Sequence, residues 1–308
     1  MGKTALLAVG GGGLSGAALL AALAGSPWGV VTAYMAPLPL LAAGFALGAG
    51  GFGFAAAAGL AITLAFGGPT GAGLYGGMHV LPSWLIVQQA LRTDATAADG
   101  WQPVGKVLAG ITVLVALLVA VTIWFSRGEG GVEATMQAML TTVMGLAAPA
   151  LDDADRAALV GRLAPLFPGF SGAVWLATLV GNAVAAQGLL ASRGWARRPR
   201  PRWSELQVPG WLDWVLVATA VAGLVFSGDA AYLARNGVVV LLTPYFLVGL
   251  AVVHVAARRS TLRGPLLAGF YVVVMVFFLV AVALVAALGV AEQWVGIRRR
   301  LPATPPRD

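Results

Sequence analysis

Two serines and two histidines are the side chains of this sequence best suited to nucleophilic catalysis. Ser15 and Ser171 each lie in a Gly-x-Ser-Gly motif, a pattern used by intramembrane serine proteases. A serine needs a base within hydrogen-bond reach before it attacks a carbonyl. His254 is predicted near the opposite membrane face from Ser171, whereas His79 lies at a more compatible depth. An intramembrane hydrolase using Ser15 or Ser171 with His79 therefore stays open as a remote alternative.

The two histidines do not predict a metal site. Two histidines without nearby carboxylates are a poor ligand set, so we expect no metal and no cofactor. His254 precedes Arg258 by four residues, which favours an interfacial position with its polar edge toward the lipid headgroups. The three acids around Asp153 precede a helical pattern and suit a helix N-terminus better than a cation site.

Uncharged polar side chains inside apolar segments indicate binding rather than catalysis. A ligand cavity lined by broken helices would place such groups at mid-depth, and Pro244 interrupts one of these segments. The predicted substrate-binding residues are Asn182, Gln187, Thr243 and Tyr245. The alternative is that these groups only join neighbouring helices by hydrogen bonds.

Small residues at four-residue spacing predict close helix packing. They place small side chains on one helix face, so two backbones can approach each other or a partner protein can dock. The residues assigned to packing or docking are Gly12, Gly16, Ala17, Ala21, Gly44, Gly48, Gly73 and Gly77.

The elements that hold these residues follow from composition. Hydrophobic residues make up 59% and charged residues only 10%, against about 25% charged in soluble proteins. This balance excludes a soluble enzyme and a nucleic-acid-binding domain. With no cysteine in 308 residues, thiol catalysis and disulfides are excluded as well. The sequence predicts an all-α, polytopic transmembrane helical bundle whose long apolar runs satisfy their own backbone hydrogen bonds.

The hydropathy pattern predicts about eight or nine spans in a single membrane domain, 1–308. The apolar segments are 5–24, 29–48, 51–67, 71–90, 104–126, 163–190, 211–227, 237–257 and 265–290. Between the fifth and sixth segments, 127–162 is expected to be an extracytoplasmic loop. Its apolar residues Met136, Met139, Leu140 and Met144 predict an amphipathic surface helix. A further crossing through 134–151 stays open, and 291–308 is a basic tail.

Arginine clusters predict the orientation. The connections 191–210 and 258–264 are rich in arginine and should be cytoplasmic. One feature disagrees, because a single crossing through 265–290 would place the arginines at 298–300 on the opposite side. Either the tail is an exception or one late segment is not a simple crossing. The first segment also has features of a signal peptide.

Four stretches together resemble a known family. They are Ala36-Pro37-Leu38-Pro39-Leu40 followed by Gly44 and Gly48; Trp175 followed by Asn182 and Ala186-Gln187; Gly249 to His254 and Arg258; and Gly289 followed by Glu292-Gln293-Trp294. The chain resembles the YybS-like family of uncharacterised bacterial integral membrane proteins. The resemblance implies a multi-pass protein of the bacterial inner membrane. It also implies a distant similarity to the substrate-binding subunits of energy-coupling-factor transporters, which dock to a separate energising module.

Three hypotheses follow for function. The first is a non-enzymatic protein that binds or helps to move a small neutral or polar solute, without its own ATPase or ion coupling. The second is a structural or assembly protein, and the third is the serine hydrolase. Expected partners are membrane lipids and either another membrane protein or an energising transporter module. No nucleic-acid partner is expected.

Overall fold

The protein is helical throughout its regular structure. The computed structural model describes residues 3–300 except 126 and 129, and it describes side chains from residue 5 onward. Within that part of the chain no strand forms, which confirms the all-α class. The helices are α1 (Lys3–Leu23), α2 (Gly29–Met35), α3 (Pro37–Tyr75), α4 (Leu81–Ala90), α5 (Val104–Phe125), α6 (Gly131–Ala147), α7 (Asp153–Leu163), α8 (Phe167–Ser192), α9 (Trp211–Val225), α10 (Gly228–Ala257), α11 (Arg263–Val276), α12 (Phe278–Val295) and α13 (Ile297–Arg300).

Six continuous helical runs in the described residues are long and apolar enough to cross a membrane. They are Ala5–Leu23, Gly29–Ala90, Val104–Phe125, Phe167–Ser192, Gly228–Ala257 and Phe278–Val295. Two shorter apolar helices are α9 and α11. The run 131–147 is not among the six. The expected count of eight or nine spans stays a prediction.

The long run from Gly29 to Ala90 reverses direction twice. Gly48 (φ 77°) and Gly68 (φ 64°) leave the helical conformation inside α3, and both adopt the positive φ that glycine tolerates best. Gly59 packs directly against the ring of Tyr75. Sixteen residues of straight helix would separate them by about 24 Å, so the chain folds back at Gly68. Likewise, Gly44 contacts Phe52 across Gly48. The turns lie at the Gly-rich breaks between the predicted segments.

Contacts divide the chain into two compact units. Unit 1 comprises Met1–Ile111 and Trp175–Arg202, and unit 2 comprises Thr112–Val174 and Trp203–Asp308. In unit 1, α1 packs against α3, and α2 joins α1 where Gly29 meets the backbone of Ala22. In unit 2, α10 packs antiparallel to α12, since Gly249 meets Val285 and Gly289 meets Tyr245. The single domain over 1–308 stays a prediction.

The loop 127–162 folds into a helical hairpin. Met136, Leu140 and Met144 of α6 pack against Val160 of α7 and against Ala164, in keeping with the expected apolar spacing. Asp152 is the N-cap of α7, and its carboxylate accepts the Asp155 N–H at 2.7 Å. The acids therefore begin a helix, as the sequence predicts.

The basic tail returns to an arginine-rich connection. The run 265–290 is broken at Phe277, where α11 ends and α12 begins. The Arg298 guanidinium donates to the carbonyls of Ser204 (2.6 Å) and Leu206 (2.7 Å) and pairs with buried Glu292 at 2.8 Å. Arg298 therefore lies beside the connection 191–210. Residues 301–308 of the predicted tail lie outside the described residues.

Candidate functional site: a buried polar column in unit 1

A π-helical turn over Gly76–Val80 lies between α3 and α4. The Leu81 N–H bonds the Gly76 carbonyl five residues earlier, which defines the wider turn. Pro82 has no N–H to offer the Met78 carbonyl four residues before it. The indole Nε1–H of Trp175 donates to that carbonyl instead, at 3.2 Å. Such turns often occur at functional sites because they re-aim the side chains around them.

Three polar side chains line one buried face of this region. Tyr75, His79 and Ser83 are four residues apart, so they share a helix face, and they are 0%, 5% and 0% exposed. We call these three residues the polar column. The Tyr75 hydroxyl, both His79 ring nitrogens and the Ser83 hydroxyl are buried without a hydrogen-bond partner among the described residues. Most buried polar groups in proteins are paired, so four unpaired atoms on one face require an explanation.

The residues of the polar column pack closely against each other and against α3. The Tyr75 and His79 ring centroids lie 5.8 Å apart, and the hydroxyl end of Tyr75 packs against Gly59. The Tyr75 hydroxyl has no hydrogen-bond partner among the described residues, and the nearby Ser15 hydroxyl donates to the Ala36 carbonyl at 2.6 Å.

The column can therefore both donate and accept hydrogen bonds. A neutral imidazole provides one donor and one acceptor, and each hydroxyl provides both. No group of three or more His, Cys, Asp or Glu side chains that could hold a metal occurs in the described residues. This chemistry suits an uncharged ligand better than an ion.

The serine–histidine pairs do not form a catalytic dyad in the described structure. Ser15 uses its hydrogen on a backbone carbonyl, while neither nitrogen of His79 accepts a bond. Ser171 belongs to unit 2, whereas His79 belongs to unit 1. A nucleophile and its base should be within hydrogen-bond reach, so the geometry gives the hydrolase hypothesis no support.

The predicted binding residues of unit 1 join parts of the protein. The Asn182 amide of α8 donates to the Tyr34 carbonyl (2.9 Å) and to the Thr178 carbonyl (2.8 Å). The Gln187 amide, which is buried, donates to the Arg198 carbonyl. Both side chains lie on α8, as their spacing predicts, and both amides donate to backbone carbonyls.

The other two predicted residues lie in unit 2. Tyr245 is fully buried, and its hydroxyl donates to Asp213 of α9 at 2.6 Å. Thr243 is 8% exposed on the preceding part of α10, next to Pro244. Tyr245 therefore joins α10 to α9. The assignment of all four residues to a ligand site stays a prediction.

A family sequence profile covers most of the chain. The profile of Predicted membrane protein (DUF2232) matches residues 16–292. The chain belongs to the DUF2232 family. A comparison with curated proteins finds no match for this DUF2232 protein. A comparison with solved structures finds none either.

The packing glycines of this DUF2232 protein fall into two groups. Gly12 and Gly16 meet the backbones of Ala55 and Gly59, and Gly44 meets Val87, so these glycines allow close contact inside unit 1. Gly73 and Gly77 have open space where a side chain would be. Ala17 is exposed, Ala21 lies beside Gly29, and Gly48 lies beside Arg197. Packing is thus the observed role of the first group.

The arginine-rich connection of unit 1 caps three helix ends. Arg197 donates to the Ala46 carbonyl (3.1 Å) just before the Gly48 turn, Arg198 to the Ala90 carbonyl (3.0 Å), and Arg200 to the Gly188 carbonyl (2.7 Å). The C-terminal carbonyls of helices are partly negative and lack partners, so arginine stabilises them. Burial lowers the pKa of Arg198, and Asp99 opposes that effect. The cluster therefore brings three helix ends to one side.

Sequence reasoning missed the polar column. The signal was present, because Tyr75, His79 and Ser83 are polar residues at four-residue spacing within an apolar run that also contains Gly76, Gly77 and Pro82. By type alone, His79 is a candidate base for a serine, a proton group or a metal ligand, and none of these roles involves Tyr75 or Ser83. The ring nitrogens of His79 lack partners because of the tertiary packing, and residue spacing in the sequence does not reveal that packing.

Proposed function

We propose that this protein binds a small, uncharged, polar solute at the polar column of unit 1 and helps to move it across the membrane, without its own ATPase or ion coupling. The observation that carries the proposal is the set of four buried, unpaired polar atoms on Tyr75, His79 and Ser83. Leaving a buried polar group unpaired costs about 1–3 kcal/mol. A bound solute with matching donors and acceptors would offset that cost.

The same proposal includes a topology. With turns at Gly48 and Gly68, the run Gly29–Ala90 supplies three crossings instead of one. Together with α1, α5, α8, α9 and α10, this gives eight crossings and places 191–210 and 258–264 on one side. Helices α11 and α12 then add either no crossing or two. Arg197, Arg198 and Arg200 at three helix ends support a common cytoplasmic side for those ends, since arginine-rich connections stay inside. The resemblance to the YybS-like family supports the bacterial inner membrane as the location.

A separate energising module is the proposed partner. The resemblance to energy-coupling-factor substrate-binding subunits supports such a partner, and the open face of Gly73 and Gly77 offers it a small-residue helix surface. Solute capture would then belong to this chain and energy supply to the other protein.

Native mass spectrometry of protein extracted with its surrounding lipids tests the proposal. We expect a small, non-lipid adduct on the natural protein that is absent from His79→Leu and reduced in Ser83→Ala. The exposed hydroxyl variant Thr142→Val is the control and should keep the adduct. A natural protein without an adduct, or an adduct that survives His79→Leu, would overturn the proposal.

A second candidate is an assembly protein whose polar groups join helices. The bonds of Asn182 to Tyr34 and Thr178, and of Gln187 to Arg198, favour it. In the same experiment this function predicts a bare chain, or one carrying only lipids and another membrane protein. An adduct lost in Asn182→Ala but kept in His79→Leu would instead move the binding site to the residues predicted from sequence.

A further inference from the structure

Helix α6 carries two apolar stripes, and the protein covers one of them. Met136, Leu140 and Met144 face α7 and the start of α8. A neighbouring stripe of Met139, Val143 and Leu146 is 52%, 46% and 82% exposed. At 100° per residue the second stripe adjoins the first, so the apolar arc of α6 is wider than its contact with α7.

The hairpin α6–α7 is tethered at both ends to candidate spans. It follows α5 and precedes α8, with only short connections between. At the end of α5, the Arg127 guanidinium lies 3.6 Å from the Trp124 ring centroid, and Phe125 is 82% exposed. Exposed aromatic rings beside a cation are typical of the membrane–water boundary. The start of α6 is therefore held at headgroup level.

The remaining faces of the hairpin carry the polar groups. Gln137 and Thr141 of α6 are exposed on the side away from Met139. On α7, Arg156 pairs with Asp153, whose side chain is 97% exposed. Helices in the membrane interface have this division, with an apolar face toward acyl chains and a polar face toward water.

We infer that α6 lies in the phospholipid leaflet at its own side of the membrane, with Met139, Val143 and Leu146 at the boundary between headgroups and acyl chains. The phospholipid leaflet is the occupant of the exposed stripe, because the hairpin joins two candidate spans and its first helix follows the exposed aromatic end of α5. The inference does not depend on the solute proposal.

Nitroxide accessibility tests the inference directly. The chain has no cysteine, so each single-cysteine variant of the full protein carries one spin label. The test variants are Met139→Cys and Val143→Cys, and the matched controls on the same helix are Gln137→Cys and Thr141→Cys. Labelled protein is reconstituted in phosphatidylcholine–phosphatidylglycerol vesicles, and collision with oxygen is compared with collision with a water-soluble nickel chelate.

We expect the test labels to collide with oxygen several-fold more than with the chelate, and the control labels to show the opposite preference. Chelate access at all four sites would overturn the inference, because the stripe would then face water. Low access to both reagents at the test sites would also overturn it, since a second copy or another protein would then cover the stripe.

Discussion

At the residue scale, the stability of a His79 variant tests whether the imidazole is unpaired. Both ring nitrogens are buried without a partner among the described residues. Replacing such a group with an apolar one removes a desolvation cost, so His79→Leu should leave the unfolding midpoint of ligand-free protein unchanged or raise it. A gain of 1 kcal/mol would raise the midpoint by about 2–4 °C. Thermal unfolding in detergent measures this.

Asn182→Leu is the matched control for that experiment. It removes a polar group of similar size whose donor reaches the Tyr34 carbonyl at 2.9 Å. We therefore expect a lower midpoint, with a loss of about 1–3 kcal/mol from the carbonyl left unpaired. A clear fall for His79→Leu would contradict the polar column, because it would show that the imidazole has a structural partner.

Asp94 is the residue whose ionisation should change stability with pH. Hydrogen bonds from Thr96, followed by the hydrogen bond and charge of Lys106, lower the pKa of Asp94 from 3.8 to about 2. Because the folded state favours the carboxylate, its contribution is complete above about pH 4 and is lost as the pH falls toward 2. The effect should be small, since the charges are close to water.

Asp94→Asn reports this contribution. The midpoint difference between the natural protein and the variant should be largest at pH 6 and should shrink steadily below pH 4. Thermal unfolding at a series of pH values measures it. A difference that is constant between pH 6 and pH 3 would show that the carboxylate has no ionisation-dependent role.

At the element scale, α1 offers a matched pair of glycines. Gly12 meets the Ala55 backbone, whereas Gly10 has open space around the position of a side chain. Gly12→Ala should destabilise the protein by about 1–3 kcal/mol, because the helices must move apart. Gly10→Ala should be neutral or stabilising by up to about 1 kcal/mol, since alanine favours the helix. Equal effects in thermal unfolding would show that α1 does not pack closely on α3.

Some features of the helices can be predicted from the sequence, and others cannot. The Gly-rich stretches around Gly48 and Gly68 predict turns correctly, because positive φ is a local requirement that only a few residue types meet. The N-cap at Asp152 is also predictable, because it depends only on residues that are close in the sequence. The bond from Trp175 to Met78 joins residues far apart in sequence and has no local signal. The unpaired state of the polar column likewise depends on tertiary packing, so residue spacing alone does not reveal it.

The amides of α8 show a second reason why the sequence alone does not assign the site. Asn182 and Gln187 are uncharged polar residues in an apolar run, which fits both a ligand site and helix joining. Only the partners separate these roles, and both amides donate to backbone carbonyls within unit 1. By contrast, the polar atoms of Tyr75, His79 and Ser83 are unpaired among the described residues, which distinguishes them from groups that join helices.

At the scale of the whole molecule, the question is on which side the tail lies. A single crossing through 265–290 would separate Arg298 from the connection 191–210, yet its guanidinium bonds the carbonyls of Ser204 and Leu206. An arginine cannot reach across about 30 Å of hydrocarbon. The break at Phe277 resolves the conflict, because α11 and α12 then need not form one crossing. The tail and the connection should share the cytoplasmic side.

Single-cysteine labelling tests that arrangement in unit 2. Gln207→Cys and Arg300→Cys should react with a membrane-impermeant maleimide in inverted vesicles but not in intact spheroplasts. Ser227→Cys, in the exposed turn between α9 and α10, should show the reverse pattern. If Gln207→Cys and Arg300→Cys react from opposite sides, the contacts of Arg298 cannot exist in the membrane, and α11 and α12 must form a single crossing. Reaction of both from the cytoplasmic side would place the arginines of 191–210 and of 298–300 on the side that the positive-inside rule predicts.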